Sequence, residues 1–370
     1  MPVYWSIISV TIVSMFFSRI STYKKFLSEL EEDVIRKNIL TTFSVLFILF
    51  FCGFRDRCID TGAYIYSYET CPIGFSNFKS YVIDGGFNSF GFRLIELVLK
   101  TIFPESHYAW FFVVGAISIF CIYYGFINFS IDVPFSLYLF VASATFIWMF
   151  NGIRQFLAVS IIFASSKLFV EGKKIQFLFF LIISASIHMS AILLIPVFLL
   201  ISNKRVLDIK FVLIGLIIAV FAIFSESFLP FVARILQKEY NEEMLNSGGS
   251  SIMRFFVASV PLILSMIAFK DTRNEANPVI VFGINMSYLG AIFNFAATFT
   301  NGVLVGRMPI YFTIYNFYLL PWLIQHKFNK ARIVVKFACV ILYFVYFYYQ
   351  IQVAWDGLEY KSVFLGLNYL

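Results

Sequence analysis

The chain has 370 residues, of which 60% are hydrophobic and only 13% charged, with a mean hydropathy of +0.85. Soluble domains carry about 45–50% apolar and about 25% charged residues, so this composition excludes a soluble globular protein and predicts an all-α polytopic membrane protein. The formal charge of +7 comes from 28 Lys and Arg scattered between apolar runs. Such short basic groups are typical of cytoplasmic flanks, so no nucleic-acid partner is expected.

Apolar runs predict ten membrane spans, and a hydrophobic stretch of ~20 residues is enough to cross a bilayer. The first run lacks a positively charged n-region and continues like a span, which argues against a cleaved signal peptide. In chain order the predicted spans are Val3–Ile20, Ile39–Phe54, Tyr108–Phe129, Phe135–Phe150, Ile153–Val170, Phe211–Phe224, Ile252–Phe269, Val279–Ala297, Pro309–Gln325 and Ile333–Gln350.

Residues 175–202 form a further apolar segment of about 40 Å as a helix, which is long for one span and short for two. A single crossing would move the later basic groups, beginning with Lys204 and Arg205, to the outer side. A segment that enters and returns keeps them inside, as the positive-inside rule favours. We therefore predict a re-entrant or short hairpin that turns within residues 184–191, with His188 at its tip, and about 10–12 transmembrane helices in all.

This topology predicts one membrane-embedded domain over residues 1–370, with outer loops at residues 55–107 and 225–251. In the first loop, the stretch FGFRLIELVLKTIFP has apolar residues near helical spacing around Arg93 and Glu96. It is typical of a helix in the membrane interface or of an ordinary connecting helix. Cys58 and Cys71 share this loop, and sequence alone leaves open whether they form a disulfide.

Charged side chains beside membrane spans are costly, so they are functional candidates. Arg55, Asp60 and Tyr64 follow the second span. In the same stretch Asp56 and Arg57 are interpreted as the polar collar of a span exit.

Two further arginines occupy outer positions under this topology. Arg154, followed by Gln155, begins a span, where it either snorkels to a lipid phosphate or binds a ligand phosphate. Arg307 precedes a span that carries Tyr311 one turn further on. Because guanidinium groups bind phosphate bidentately and keep their charge, Arg55, Arg154 and Arg307 together predict a polyanionic ligand at the outer boundary.

His188 is either a core histidine or, in a polar cavity, a general base or a partner of the diphosphate, since an ordinary pKa near ~6.5 suits these roles. With no HExxH pattern or neighbouring cysteine, no metal site is expected. The sequence also shows no P-loop, no GxGxxG before a helix and no GxSxG elbow, so no cofactor is expected and a cytoplasmic nucleotide-using enzyme is disfavoured.

Five motifs follow one another along the chain: FRDRCIDTGAYIY, RQFLAVSIIFASSKLFVEGKK, ASIHMSAILLIP, GRMPIYF and EYKSVF. In this order they resemble the EpsG-like branch of the Wzy-type bacterial polysaccharide polymerases. The resemblance extends along the whole chain, and two positions depart from the family pattern. Ile59 stands where the family has a glycine, and Glu359 stands where a proline is common before Tyr360 and Lys361.

The resemblance implies a metal-independent glycosyltransferase of GT-C-like architecture in the bacterial cytoplasmic (inner) membrane, with its active site facing the periplasm or cell exterior. It implies transfer of a growing O-antigen, capsule or exopolysaccharide chain from undecaprenyl diphosphate onto a lipid-linked repeat unit. The partners implied are the undecaprenyl-diphosphate-linked donor and acceptor, membrane lipid and a chain-length regulator.

For this reaction we assign Arg154, Arg307 and Arg55 to the diphosphate. His188 is preferred to Asp60 as the base, because Asp60 has the alternative role of holding Arg55. Substrate positioning is assigned to Gln155, Tyr64, Tyr311 and Arg93. The competing interpretations are a flippase for the lipid-linked unit, for which two equivalent halves are expected, and a membrane acyltransferase with His188 as base.

Overall fold

The computed structural model describes residues 2–25, 39–86, 89–201, 205–224, 249–268, 275, 277–300, 305–328 and 330–367. It is 78% helical, which confirms the predicted all-α class. The chain folds into two compact units: unit 1 comprises residues 1–169, 173–192 and 339–370, and unit 2 comprises residues 170–172 and 193–338. Most of the predicted outer loop 225–251, namely residues 225–248, lies outside the described residues.

Unit 1 contains the first eight helices and the second half of the fifteenth. A 3₁₀ turn (Phe75–Asn77) and a π-helical turn (Phe78–Ile83) precede the fourth helix. The helices are α1 (Pro2–Lys25), α2 (Ile39–Gly53), α3 (Thr61–Thr70), α4 (Phe90–Ile102), α5 (His107–Phe129), α6 (Val133–Ala142), α7 (Ile153–Val170) and α8 (Lys174–Ile187).

Unit 2 is held together by side chains that bond to the backbone of neighbouring helices. The Tyr288 hydroxyl donates to the Val212 carbonyl over 2.7 Å, and the Asn316 amide donates to the Ala258 carbonyl over 2.8 Å. The later helices are α9 (Leu194–Leu200), α10 (Ile209–Ile223), α11 (Ile252–Ile267), α12 (Pro278–Thr298), α13 (Ile310–Thr313), α14 (Asn316–Lys327) and α15 (Arg332–Tyr349).

Four helical segments in the described part of the chain are long and apolar enough to cross a membrane: His107–Phe129, Ile153–Val170, Pro278–Thr298 and Arg332–Ala354. The last of these is α15 extended by a π-helical turn. Six shorter apolar helices accompany them, among them α1 and α2. Large hydrophobic side chains such as Phe16 and Phe43 remain exposed, as expected for surfaces that face lipid.

Two predicted spans are not continuous helices. The span predicted at Phe135–Phe150 ends as an α-helix at Ala142, because Ala144 has a left-handed φ of 60° and a 3₁₀ helix follows. The span predicted at Pro309–Gln325 is divided into α13 and α14 by a turn at Ile314 and Tyr315. Both segments are almost entirely buried, so hydrophobicity alone gave no signal for the breaks.

In unit 1, α2 packs closely against α5. A Cβ on Gly115 would lie 2.9 Å from Cys52 Sγ, so only glycine permits this approach. Hydroxyl groups link the helices as well: the Thr42 and Tyr123 side chains hydrogen bond at 2.8 Å. Tight packing of this kind makes the helices of unit 1 a rigid support for the loops at their ends.

Several loops and helix ends of unit 1 lie together at one end of the unit. We call it the loop end; it comprises residues 54–106, the start of α7, the end of α8 and residues 355–367. Tyr4 at the start of α1 reaches it, because its hydroxyl lies 3.2 Å from Cys58 Sγ. The Trp148 and Trp355 rings lie 6.0 Å apart there. The charge distribution predicts that this end faces outward.

Residues 355–367 are fastened to the start of the first loop. Lys361 exchanges backbone hydrogen bonds with Arg57, and the Ile59 N–H donates to the Gly357 carbonyl over 2.9 Å. The buried Tyr360 hydroxyl is 3.0 Å from both the Phe51 and Phe54 carbonyl oxygens. This tail therefore completes the turn that carries Asp60.

Candidate functional site

Helix α4 is the element on which the candidate site is built. Its residues Phe92, Glu96 and Leu99 fall at the i, i+4, i+7 spacing of one helix face, and all three are buried. Gly91 lies against the end of α8, where an added Cβ would be 3.1 Å from the Ser186 carbonyl carbon and 3.2 Å from Ile187 Cγ1. Absence of a side chain at Gly91 thus brings α4 next to His188.

His188 ends α8 in an extended conformation, with a φ of −145°. Its backbone N–H donates to the Ser184 carbonyl over 2.9 Å, and its Nδ1 lies 2.7 Å from Ser190 Oγ. A 3₁₀ turn, Met189–Leu193, follows. The helix therefore breaks inside residues 184–191, where the hairpin turn is predicted; the return of the chain across the membrane stays a prediction.

Arg154 projects from the first turn of α7 and is exposed. Its Nη1 donates to Ser89 Oγ over 3.2 Å, and its Cζ lies 5.8 Å from the centre of the Phe92 ring. Ser89 and Phe92 belong to the start of α4. The Arg154 guanidinium is thus placed beside α4 while keeping access to solvent, as a ligand-binding cation requires.

Glu96 lies behind this arginine and is only 2% exposed. Its Oε1 accepts from the Ser67 hydroxyl over 3.0 Å, and its Oε2 accepts from the Tyr81 hydroxyl over 2.7 Å. Burial raises the pKa of the Glu96 carboxyl, whereas these two hydrogen bonds and the positive charges of Arg154 and Arg93 act to lower that pKa. No function was predicted for Glu96, although a carboxylate among the apolar residues of one helix face could have indicated one.

Arg93 shares this neighbourhood. Its Nη2 donates to the Gly86 carbonyl, while its Nε is buried and has no hydrogen-bond partner among the described residues. One charged cluster at the loop end therefore comprises Arg93, Arg154 and Glu96, and it lies beside the end of α8.

Arg55 occupies a different environment from the one predicted. Its side chain is 0% exposed, with Cζ 3.8 Å from the centre of the Phe111 ring. Its Nη1 donates to the Cys52 carbonyl, and its Nε donates to Thr61 Oγ1 over 3.1 Å. Thr61 in turn donates to the Cys58 carbonyl over 2.6 Å. Arg55 thus braces the turn of residues 58–61 from inside the protein.

Asp60 stands at the start of α3 and is half-buried. The alternative role of Asp60, holding Arg55, does not take the form of a direct ion pair, because none joins the two side chains in the described structure. The preceding Ile59 has a φ of 43°, the left-handed region that favours glycine. A glycine at this position would adopt the same conformation without strain. Tyr64, one turn into α3, has its ring 6.1 Å from Trp110.

Asp56 and Arg57 have partners within the loop end, and their interpretation as a polar collar stays a prediction. The Asp56 carboxylate lies 3.0 Å from His107 Nε2, 2.8 Å from the Tyr108 hydroxyl and 2.7 Å from the Val363 N–H. Arg57 forms an exposed ion pair with Glu359 at 3.0 Å.

The disulfide left open by the sequence does not form, because Cys58 and Cys71 are free and separately buried. Cys58 contacts the Tyr4 hydroxyl, whereas Cys71 packs in a cluster with Val82 and Leu97. Burial raises the pKa of each thiol to about 11, so both stay protonated at neutral pH.

The remaining predicted residues fall in different places. Gln155 is buried in α7, with 3% of its surface exposed. Arg307 is half-buried in the turn before α13, and Tyr311 is buried within α13. Arg307 and Tyr311 belong to unit 2, whereas the other predicted residues belong to unit 1.

A model of the EpsG family matches residues 38–362, which is most of the chain. The chain belongs to the EpsG family. This is the family of exopolysaccharide, Wzy-like polymerases, so the protein is a membrane protein of the polysaccharide-polymerase type. No curated protein and no solved structure matches the chain.

Proposed function

We propose that this EpsG-family chain is a metal-independent glycosyltransferase that polymerises a glycan at the outer face of the bacterial cytoplasmic membrane. The growing chain is transferred from undecaprenyl diphosphate onto a hydroxyl of an incoming lipid-linked repeat unit. The observation that supports this best is the exposed Arg154 guanidinium at the loop end, which bonds to Ser89 at the start of α4. Helix α4 also carries Arg93 and packs through Gly91 against the end of α8, just before His188.

The reaction needs two kinds of group. The bond between the sugar C1 and the diphosphate oxygen breaks with its electron pair leaving on the diphosphate, while the acceptor oxygen bonds to C1 and loses its proton to a base. Cationic donors that meet the developing diphosphate charge lower the barrier. Arg154 supplies such a cation, and the first turn of α7 adds the partial positive charge of a helix start.

His188 is the proposed base. Ser190 Oγ lies 2.7 Å from its Nδ1 and so orients the imidazole, and we assign the proton transfer to Nε2. Asp60 is the second candidate, since it lies half-buried on the turn that Arg55 braces. Variants of the two residues distinguish them, because loss of the base lowers the rate of transfer without lowering donor affinity.

Arg55 takes a different role in this proposal from the diphosphate contact assigned from sequence. A fully buried guanidinium bonded to Cys52 and Thr61 positions the turn that carries Asp60. Arg307 remains assigned to the diphosphate. Gln155, Tyr64 and Tyr311 remain assigned to substrate positioning, and the growing chain, the membrane lipid and a chain-length regulator remain the proposed partners.

The test is incubation of the purified protein with undecaprenyl-diphosphate-linked repeat units, without added divalent metal. We expect a ladder of glycan lengths and release of undecaprenyl diphosphate in equal molar amount to the bonds formed. Movement of the lipid-linked unit across a vesicle bilayer without a ladder indicates a flippase instead. Modification of the glycan only when an acyl donor is added indicates an acyltransferase.

A further inference from the structure

Glu96 is a carboxylate for which the proposed transfer reaction has no use. It is 2% exposed, on the face of α4 that also buries Phe92 and Leu99. A buried charge is normally paired, because removing it from water costs several kcal/mol. Glu96 forms no ion pair within 4.0 Å in the described structure, so its charge is stabilised only by two hydroxyl donors and by arginines at longer range.

Two arginines stabilise the charge of Glu96, and one of them, Arg154, is the cation that the proposed function assigns to the diphosphate. Arg154 approaches from the start of α7, and Arg93 lies three residues before Glu96 on α4. When these guanidinium groups bind an anion, its negative charge adds to that of the Glu96 carboxylate near the same two arginines. Like charges disfavour each other's ionised form, so a filled site and an ionised Glu96 compete for the same two cations.

We propose that Glu96 is the counter-charge of Arg93 and Arg154, and that binding of a lipid-linked diphosphate to these arginines makes Glu96 take up a proton. This inference rests on the proposed function, since it takes the diphosphate as the ligand of Arg154. Donor binding is then coupled to protons, and the donor binds more tightly as the pH falls.

The direction in which donor affinity changes with pH follows from the pKa of Glu96 in the empty and in the filled site. Burial raises the pKa of Glu96 in the empty site, and a bound anion raises that pKa further, because it offsets the charges of Arg93 and Arg154. Between the two pKa values the empty site is ionised and the filled site is protonated, so one proton enters with each donor. Affinity then rises by up to about tenfold for each unit of falling pH, by linkage.

The other ionisable groups around Glu96 have assigned partners or positions. Tyr81 donates to Glu96, and burial raises the pKa of Tyr81, so it stays protonated. Burial raises the pKa of Tyr68 to about 12 and that of Cys71 to about 11, so both stay neutral near pH 7. From α5, His107 and Tyr108 bond to Asp56. Helix α8 carries Lys174 at its opposite end and His188 at the end that packs against α4, where the His188 Nδ1 lies 2.7 Å from Ser190 Oγ. On α4 itself, Lys100 donates to the Pro104 carbonyl, and on the turn before it Lys79 is exposed.

The test is isothermal titration of the purified protein with a short-chain prenyl diphosphate-linked sugar. Both phosphates of this probe are diesters, so they do not titrate near neutral pH. The titration is repeated in two buffers of different ionisation enthalpy. Because the buffer supplies any proton that the protein takes up, the difference in heat gives the number of protons taken up on binding. We expect uptake approaching one proton in the wild type and none in Glu96→Gln, whose affinity loses its dependence on pH. Glu105→Gln, which changes an exposed glutamate of the same loop, should behave as the wild type.

Tyr81→Phe gives a second, independent measurement. It removes a hydrogen bond that favours the ionised carboxylate, so the pH at which affinity changes should rise, whereas Tyr66→Phe, at an exposed tyrosine, should leave it unchanged. Equal proton uptake by the wild type and Glu96→Gln overturns this inference but not the proposed function. Equal affinity of the wild type and Arg154→Ala for the probe overturns the diphosphate site itself.

Discussion

Gly91 of α4 lies directly against Ser186 of α8, so close that a Cβ at residue 91 would come 3.1 Å from the Ser186 carbonyl carbon. This contact joins the helix that carries Arg93 and Glu96 to the helix end that carries His188. The charged cluster therefore depends on one glycine at which no side chain fits.

Replacing Gly91 with alanine should separate α4 from α8. Overpacking of a tight contact costs about 1–3 kcal/mol, and we expect a lower melting temperature and shorter polymer chains in cells that make this variant. Gly62→Ala is the matched control, because Gly62 is a helical glycine of the same loop with nothing within 4 Å of an added Cβ. Wild-type polymer from Gly91→Ala at normal melting temperature contradicts the proposed dependence on this contact.

Replacing Arg154 with alanine should lower the rate of glycan transfer by about 10²–10³-fold, the usual cost of losing a donor to transition-state charge. The side chain is exposed, so the melting temperature should change little. Arg154→Lys should recover only part of the rate, because an ammonium group cannot bind phosphate bidentately. Arg57→Ala, at a 60% exposed arginine of the same end, is the control and should polymerise normally. Normal-length polymer from Arg154→Ala rules out the diphosphate assignment.

Arg55 should show the opposite pattern to Arg154. Its buried guanidinium bonds to Cys52 and Thr61 and packs on Phe111, so Arg55→Ala leaves a cavity and unpaired acceptors. We expect a loss of about 2–4 kcal/mol in unfolding free energy. The measurement is thermal unfolding in detergent, together with the amount of protein in the membrane. A stable Arg55→Ala protein with no activity would instead return Arg55 to the ligand contacts.

Ile59 is a β-branched residue held at a φ of 43°. Left-handed backbone costs a residue other than glycine about 1–2 kcal/mol, and the added freedom of glycine in the unfolded chain offsets part of the gain. Ile59→Gly should therefore raise the unfolding free energy by about 0.5–1 kcal/mol. Ile73→Gly, at an exposed isoleucine with ordinary backbone, should not stabilise the protein. Destabilisation by Ile59→Gly means that packing of the isoleucine outweighs its strain.

The predicted hairpin at residues 175–202 has a direct topological test. Single cysteines introduced by Lys173→Cys and Arg205→Cys should both be labelled only from the cytoplasmic side of the membrane, whereas Ser190→Cys should be labelled from outside. The five native cysteines are mostly buried, which keeps the background low. Outside labelling of Arg205→Cys shows that the segment crosses once and contradicts the outward placement of Arg307.

The spacing of apolar residues and the distribution of basic residues along the chain were enough to predict two elements of the fold. The amphipathic α4 and the break near His188 were both expected, the first from helical spacing and the second from the distribution of basic residues. The break in the span predicted at residues 135–150 was missed, because a left-handed Ala144 leaves no mark on hydrophobicity.

The contacts that define the site join residues far apart in the chain, and spacing does not reveal such pairs. Arg154 bonds to Ser89 across 65 positions, and His107 bonds to Asp56 across 51. Arg55 looked like an outward cation because it follows a span, yet the Phe111 ring, which covers it, lies on another helix. Burial of a charge is decided by such tertiary neighbours, so the role of Arg55 was not readable from its local sequence.

The fastening of the tail to the first loop has a consequence for synthesis in the membrane. The Tyr360 hydroxyl meets the Phe51 carbonyl across 309 positions. At ~5–20 residues per second, translation takes ~15–60 s to supply that partner. During this interval the backbone of Asp56, Arg57 and Ile59 has no tail to bond to. The turn that carries Asp60 is thus completed only when the distal residues arrive, and premature termination before residue 357 yields chains in which these hydrogen bonds never form.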